Sequence, residues 1–245
     1  VIVSGAASGI GLECAHQFFN KGAVVVGLDI NPEIENIFCE FGMLGIQCDV
    51  TDKKAVVGAI METVRKYGGI DVLVLNAGTF SAGETIENIE ESSWNISLNV
   101  NLTATQMLLK TCIPFLKKGI DPAVVFMASR NVNAPGPGAS VYSVPKAGQT
   151  QLARIAALEL GKFGIRVNIL HPDCVYDTKL WTLEKLESSA KRYGLTVEQY
   201  KSRNVLNVDV RSKEVARMVC AMAGDIFAKT TGAQIPIDGG SDRVI

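Results

Sequence analysis

Tyr142 and Lys146 stand four residues apart in "VYSVPKAGQ", and residues at i and i+4 share a helix face. A phenol titrates at about 10 in water. An ammonium beside it stabilises the phenolate and lowers that value. The pair is therefore a candidate general acid/base for a substrate hydroxyl or carbonyl. A surface Tyr/Lys pair has the same spacing, and spacing alone favours that plainer reading. Pro145 lies between the two. Proline is tolerated in the first turn of a helix, where its missing N–H has no partner to lose, so Tyr142 is expected at a helix start.

A second group is "SGAASGIG", which follows an apolar run and opens a helical pattern. Gly5, Gly9 and Gly11, with Ser8 and Ile10 among them, would bring backbone close to a pyrophosphate at a helix N-terminus. The spacing is G-x-x-x-G-x-G rather than G-x-G-x-x-G, so the placement between strand and helix carries the argument. Asp29 lies 18 residues after Gly11. A carboxylate there can accept from the adenosine ribose hydroxyls and repels the extra phosphate of NADP. No Lys or Arg stands in the loop or directly after Asp29. NAD is the expected cofactor; the alternative is an Asp29 that only caps the next turn.

The elements that must hold these groups alternate along the chain. "VIVSG", "AVVVGLD", "LGIQCDV", "IDVLVLNAG", "PAVVFMAS", "GIRVNILHP" and "AQIPID" read as strands. Helical patterns separate them at 9–20, 32–41, 52–67, 92–116, 142–162 and 212–224. Strands that are apolar throughout suit a parallel sheet covered on both faces. The expected fold is α/β, a doubly wound parallel sheet, with residues 1–245 as one domain. Segment 174–210 departs from the rhythm and is the expected substrate lid.

Composition excludes several classes. Lys plus Arg is 24 and Asp plus Glu is 25, a net charge of −1, which gives no electrostatic grip on nucleic acid or an anionic membrane. No apolar run approaches the ~20 residues of a membrane span. The six cysteines show no C-x-x-C spacing and there are two histidines, so no metal site is expected. Free thiols in a cytoplasmic protein are the expected state.

The chain resembles the short-chain dehydrogenase/reductase family over its whole length. The match rests on "SGAASGIG", "CDV" at 48–50, "LNAG" at 75–78, "NVNL" at 99–102, Ser129, "YSVPK" and "IDGG". The resemblance implies a catalytic set of Asn101, Ser129, Tyr142 and Lys146. Tyr142 would be the acid/base. Lys146 would tune it and bind the nicotinamide ribose. Ser129 would donate to the reacting oxygen, and Asn101 would hold a water leading to solvent. Asp49 and Val50 would flank the adenine, and Asn76, Ala77 and Gly78 the cofactor's ribose. Pro172 and Val175 would lie in the loop beside the nicotinamide. Family members are mostly tetramers or dimers packed through helices at 92–116 and 142–162, so a homo-oligomer is expected.

The pattern departs after the sixth strand. "HPDCVYDTKLW" carries Asp173 where the family has glycine, and Thr178 is displaced by one. Asp173 either faces the reacting carbon or caps a turn. His171 is either a second proton-handling group or a buried residue beside the cofactor. Arg130, His171, Asp173 and Trp181 are the candidate substrate contacts. Trp181 either walls the substrate or packs the lid on the core. This stretch and "KRYGLTVEQYKSRN" are similar to the dehydrogenase half of bifunctional rhamnulose-phosphate aldolase/lactaldehyde dehydrogenases. That similarity implies a fused aldolase upstream, and a start at Val1 fits a piece of a longer chain. The expected activity is NAD-dependent oxidation of a small hydroxy-aldehyde such as lactaldehyde. Oxidation of other alcohols or polyols is the alternative, and a dinucleotide-binding scaffold without turnover is a third.

Overall fold

The computed structural model describes residues 1–81 and 84–240. Seven strands form one sheet: β1 (Ile2–Ser4), β2 (Val25–Asp29), β3 (Met43–Gln47), β4 (Val72–Leu75), β5 (Ala123–Met127), β6 (Arg166–Pro172) and β7 (Gln234–Ile237). Their order is β3-β2-β1-β4-β5-β6-β7, and every pairing is parallel. The connecting helices are α1 (Gly9–Asn20), α2 (Ile34–Ile37), α3 (Lys53–Tyr67), α4 (Glu91–Leu98), α5 (Ala104–Leu116), α6 (Ser140–Leu160), α7 (Leu183–Arg192), α8 (Val197–Lys201) and α9 (Ser212–Ala223).

Side chains alternate across a strand, and the inner strands β1 and β5 are buried on both sides. On β5, Val124 and Phe126 join one apolar layer with Val56 and Ile60 of α3, Leu108 and Cys112 of α5, and Ala153 and Ala157 of α6. Val125 and Met127 join the other, with Cys14 and Phe18 of α1 and Val215 and Val219 of α9. The sheet is thus doubly wound, as the apolar runs require. No helix among the described residues is long and apolar enough to cross a membrane.

Two elements differ from expectation. The helix expected over 32–41 is only Ile34–Ile37. It stops where Phe38 turns inward, its ring filling the space beside Gly27. The helix expected over 92–116 is broken at 99–103 by a wider π turn separating α4 from α5. Such turns inside helices are frequent at functional sites, and this one carries Asn101.

β1 pairs with β2 on one side and β4 on the other. The winding direction reverses there, and in open α/β sheets ligands bind in the crevice beyond the strand ends at that point.

Candidate active site

A cleft of about 1010 Å³ opens there. Every candidate residue named from the sequence lines it except Gly11, Asn101 and His171. Those three stand behind the wall and shape it.

At one end the glycine loop turns from β1 into α1. The N-cap residue Ser8 makes no side-chain cap and the first turn holds no acid, so the first N–H groups of α1 face the cleft without a side-chain acceptor. A Cβ on Gly11 would fall 2.0 Å from the Gly5 carbonyl oxygen; glycine there lets helix and loop pack together. The Asn76 amide donates to the Ser4 and Gly5 carbonyls at 2.9 and 3.1 Å. Its side chain thus fastens the β4 end to the loop. Asp29 accepts from the Ala7 and Asn31 N–H groups, each at 2.9 Å. These bonds fix the carboxylate on the cleft wall beside Ile30, Asp49 and Val50.

At the other end Tyr142 and Lys146 share a face of α6, with Lys146 Nζ 5.8 Å from the Tyr142 ring centre. Ser129 hydrogen-bonds the Tyr142 side chain, and the ring of Phe80 meets Tyr142 edge-on at 4.9 Å. Burial pushes the phenol up to about 12, against the Ser129 bond that lowers it. Burial also pushes Lys146 down to about 7. The groups that move the phenol are its burial, Ser129 and Cys174, and Lys146 is not among them. The ammonium donates instead to the Met127 carbonyl at 2.7 Å and to Gln149 Oε1 at 3.1 Å. Gln149 donates on to Thr105 Oγ1, and Thr105 to the Asn101 carbonyl, at 3.2 and 3.1 Å. This buried line joins Lys146 to the π turn. Gln149 shares the Lys146 face at i+3, a signal that the sequence reading passed over.

Asn101 is fully buried. Its Oδ1 accepts from the Thr79 N–H at 3.1 Å, and its Nδ2 donates to the Thr79 carbonyl at 3.0 Å and to Ser97 Oγ at 2.9 Å. The side chain expected to hold a water is thus committed to protein partners, and it pins the loop after β4 against the π turn. Gly78 lies in the gap: a Cβ there would come within 2.8 Å of Asn101 Oδ1 and 3.7 Å of Lys146 Nζ.

Pro145 is the sixth residue of α6, not in its first turn. There its missing N–H deprives the Val141 carbonyl of a helical donor. Ser97 on α4 supplies one, donating to Val141 at 2.6 Å. The repair is tertiary and has no local signature in the sequence.

Beyond Tyr142 the wall passes to the loops after β5 and β6. Ser129 begins a short 3₁₀ turn, Arg130–Val132, and accepts from the Asn131 N–H at 3.2 Å. Arg130 Nε lies 2.7 Å from Asp173 Oδ1, with the two side chains 7% and 18% exposed. Asp173 therefore faces the cleft in an ion pair. His171 is buried, and its Nδ1 contacts the Ser129 carbonyl at 2.9 Å. A bond to a carbonyl requires the proton on Nδ1. Burial chiefly lowers the ring's pKa, so His171 is a neutral strut under Ser129 and not a substrate contact. The Cys174 thiol is pushed up to about 12, first by burial and then by Asp173; it is a lining group rather than a nucleophile.

Trp181 lines the cleft and also packs on Tyr176 and Tyr200, at 5.0 and 6.4 Å between ring centres. It is thus a cleft-lining residue within an aromatic cluster of segment 174–210. Thr178 reaches back over the glycine loop, its Cγ2 3.2 Å from where a Gly9 Cβ would be, and it is a further lining residue. Asp177 anchors this strap by accepting from the Ser212 N–H and Oγ, at 3.0 and 2.8 Å, at the start of α9.

Residues 5–242 match the family model described as enoyl-(acyl carrier protein) reductase. The chain belongs to the short-chain dehydrogenase/reductase family. It is 32% identical to the mitochondrial (-)-isopiperitenol/(-)-carveol dehydrogenase of Mentha piperita, over 98% of this chain and 91% of that one. It is 31% identical to the uncharacterized oxidoreductase YuxG of Bacillus subtilis (strain 168), over 98% of this chain but only 37% of that protein. Among solved structures, Thermoplasma acidophilum aldohexose dehydrogenase in ligand-free form superposes with a TM-score of 0.84 at 29% identity, covering 98% of this chain and 92% of that one.

As a short-chain dehydrogenase/reductase the protein is a hydride-transfer oxidoreductase with a nicotinamide dinucleotide-binding fold. Its residues fit that group. The uncapped α1 terminus suits the pyrophosphate, the fixed Asp29 carboxylate suits ribose hydroxyls, and the Tyr142 end suits the reactive ring. Among the described residues no cluster of His, Cys, Asp or Glu could hold a metal ion.

Proposed function

We propose that the protein is NAD-dependent and oxidises a small hydroxy-aldehyde of the lactaldehyde type to its acid. The observation that carries the cofactor choice is Asp29. Two backbone N–H groups hold its carboxylate on the wall. Asp49 lines the same end, and no Lys or Arg lines the stretch from Gly5 to Val50. A second phosphate on the ribose would meet negative charge and find no cation.

For the substrate, the support is the resemblance read in the sequence at 171–181 and 191–204 to lactaldehyde dehydrogenase halves. The polar Arg130–Asp173 pair lines the same cleft as Trp181. An aldehyde has no hydroxyl proton to surrender, so its hydrate is the species oxidised. Ser129 Oγ and the Tyr142 oxygen bind the hydroxyl that reacts. Tyr142 takes its proton, and Lys146 stabilises the phenolate that must exist for that instant. Asn101 keeps the floor at Gly78 in place. Bound NAD supplies the hydride acceptor and a positive charge that favours the phenolate.

The second reading is an alcohol or polyol dehydrogenase using the same four residues, supported by the likeness to an aldohexose dehydrogenase. Incubation with NAD and 2-hydroxypropanal, with the product identified by NMR, separates the two. Lactate supports the first reading. NADH formed only with alcohols or sugars supports the second, and no NADH with any of them overturns both.

A further inference from the structure

We propose that the Arg130–Asp173 pair reads a second hydroxyl on the substrate, on the reacting carbon or beside it, and so selects paired hydroxyls over lone ones. This deepens the oxidoreductase reading above and rests on it.

Asp173 stands where family members carry glycine. Its N–H donates to the Ile237 carbonyl at 3.2 Å, which ties the residue to the sheet. Arg130 directly follows Ser129. The 2.7 Å contact between them therefore bridges the loops after β5 and β6 next to the residue that hydrogen-bonds Tyr142. Cys174, the next residue, is within electrostatic reach of both Tyr142 and Asp173. The carboxylate thus stands close to the reacting centre.

The pair's charge decides what it can take. Arg130 and Asp173 already pair at 2.7 Å, so an incoming carboxylate or ammonium would bring a further charge into a largely buried place. A neutral hydroxyl does not. Arg130 Nε contacts Oδ1 at 2.7 Å, and the Cys174 thiol also hydrogen-bonds the carboxylate. Four acceptor sites on a carboxylate leave room for an O–H donor. An apolar group in the same place would strip water from that carboxylate and offer nothing back.

For a hydrated aldehyde the balance is R–CH(OH)₂ plus NAD⁺ giving R–COO⁻, NADH and two protons. The C–H hydrogen leaves with its electron pair to the nicotinamide, and the first hydroxyl proton passes to Tyr142. The C–O bond of that first hydroxyl becomes the carbonyl, while the second hydroxyl keeps its proton and stays on Asp173. Its proton goes to water as the acid ionises.

The test measures kcat/KM at saturating NAD for propan-2-ol, propane-1,2-diol, propanal and 2-hydroxypropanal. The proteins are wild type, Asp173→Ala and the double variant Arg130→Met/Asp173→Ala, which leaves no lone buried charge. Wild type should favour the diol over propan-2-ol by about 10- to 100-fold, the range of a hydrogen bond to a charged acceptor. Both variants should bring that ratio towards one while binding NAD in calorimetry. Propanal against the diol tells a hydroxyl on the reacting carbon from one beside it. A double variant that keeps the wild-type ratio, or a wild type indifferent to the second hydroxyl, overturns the inference and leaves hydride transfer standing. Absence of NADH with all four substrates overturns the inference and the proposed function together.

Discussion

Ser97 donates its hydroxyl to the Val141 carbonyl at 2.6 Å, and that carbonyl is the one Pro145 leaves without a helical donor. The same hydroxyl accepts from Asn101 Nδ2 at 2.9 Å. One buried oxygen therefore joins the π turn to the first turns of α6, where Tyr142 and Lys146 stand. Ser97→Ala should lower stability by about 1–3 kcal/mol, the range for stranding a buried polar group. Pro145→Ala returns an N–H to the carbonyl, so the loss from Ser97→Ala should shrink in that background. Urea denaturation of the four proteins gives the coupling. A value above about 0.5 kcal/mol is expected between groups that share a partner; strictly additive losses would show that Ser97 does not serve that carbonyl.

The pH dependence follows from two buried groups pushed in opposite directions. With Lys146 near 7 and Tyr142 near 12, the pair carries one proton between them across that range, mostly on the phenol. The form needed for oxidation, phenolate plus ammonium, has the same proton count, so its share is constant there. Below about pH 7 Lys146 gains a proton while the phenol keeps its own, and no base remains. kcat/KM for NAD, which reports the free enzyme, should fall below about pH 7, and Lys146→Met should abolish that limb along with most of the rate. A profile flat to pH 5 contradicts the pairing.

Stability carries the same signature. Lys146 is depressed from 10.5, so between about 7 and 10.5 the unfolded chain binds a proton that the folded one does not, and stability rises with pH. Tyr142 is raised from 10.0, so between 10 and about 12 the folded state binds more and stability falls. In Lys146→Met the rise across the lower window should shrink. A denaturation midpoint with the wild-type pH dependence in that variant rules out Lys146 as its source.

Asp29→Ala should weaken NAD binding and narrow the preference over NADP. It should also loosen the glycine loop, because the Ala7 and Asn31 N–H groups lose their acceptor. Titration calorimetry with both dinucleotides reads the first effect. Wild-type protein that binds NADP as tightly as NAD would remove Asp29 as the selector.

Trp181→Ala should raise KM for the aldehyde and also lower stability, by about 1–3 kcal/mol. That is less than the loss for a fully buried tryptophan, since Trp181 is half-buried and touches Tyr176 and Tyr200. An unchanged KM would leave it a packing residue only.

The doubly wound parallel layers were legible because seven apolar runs alternate with amphipathic helices, and that pattern admits few topologies. The glycine loop, Asp29 and the Tyr142/Lys146 pair were legible from residue type and spacing, and the other cleft-lining residues at strand ends from the family resemblance. What escaped was tertiary. The Ser97 repair of Pro145, the Gln149 bridge to Thr105 and the burial of His171 under Ser129 depend on contacts between residues 42 to 44 positions apart. The expected helix over 92–116 hid the π turn because its apolar period hardly changes across one widened turn.

Tyr142→Phe tests the central claim most directly. The ring still packs against Phe80, and only the oxygen that moves the proton is lost. NAD affinity should stay close to wild type while kcat falls by about 10²- to 10⁴-fold, the usual worth of a positioned acid/base. A variant that folds, binds NAD and keeps more than about a tenth of the wild-type kcat would contradict proton transfer by Tyr142.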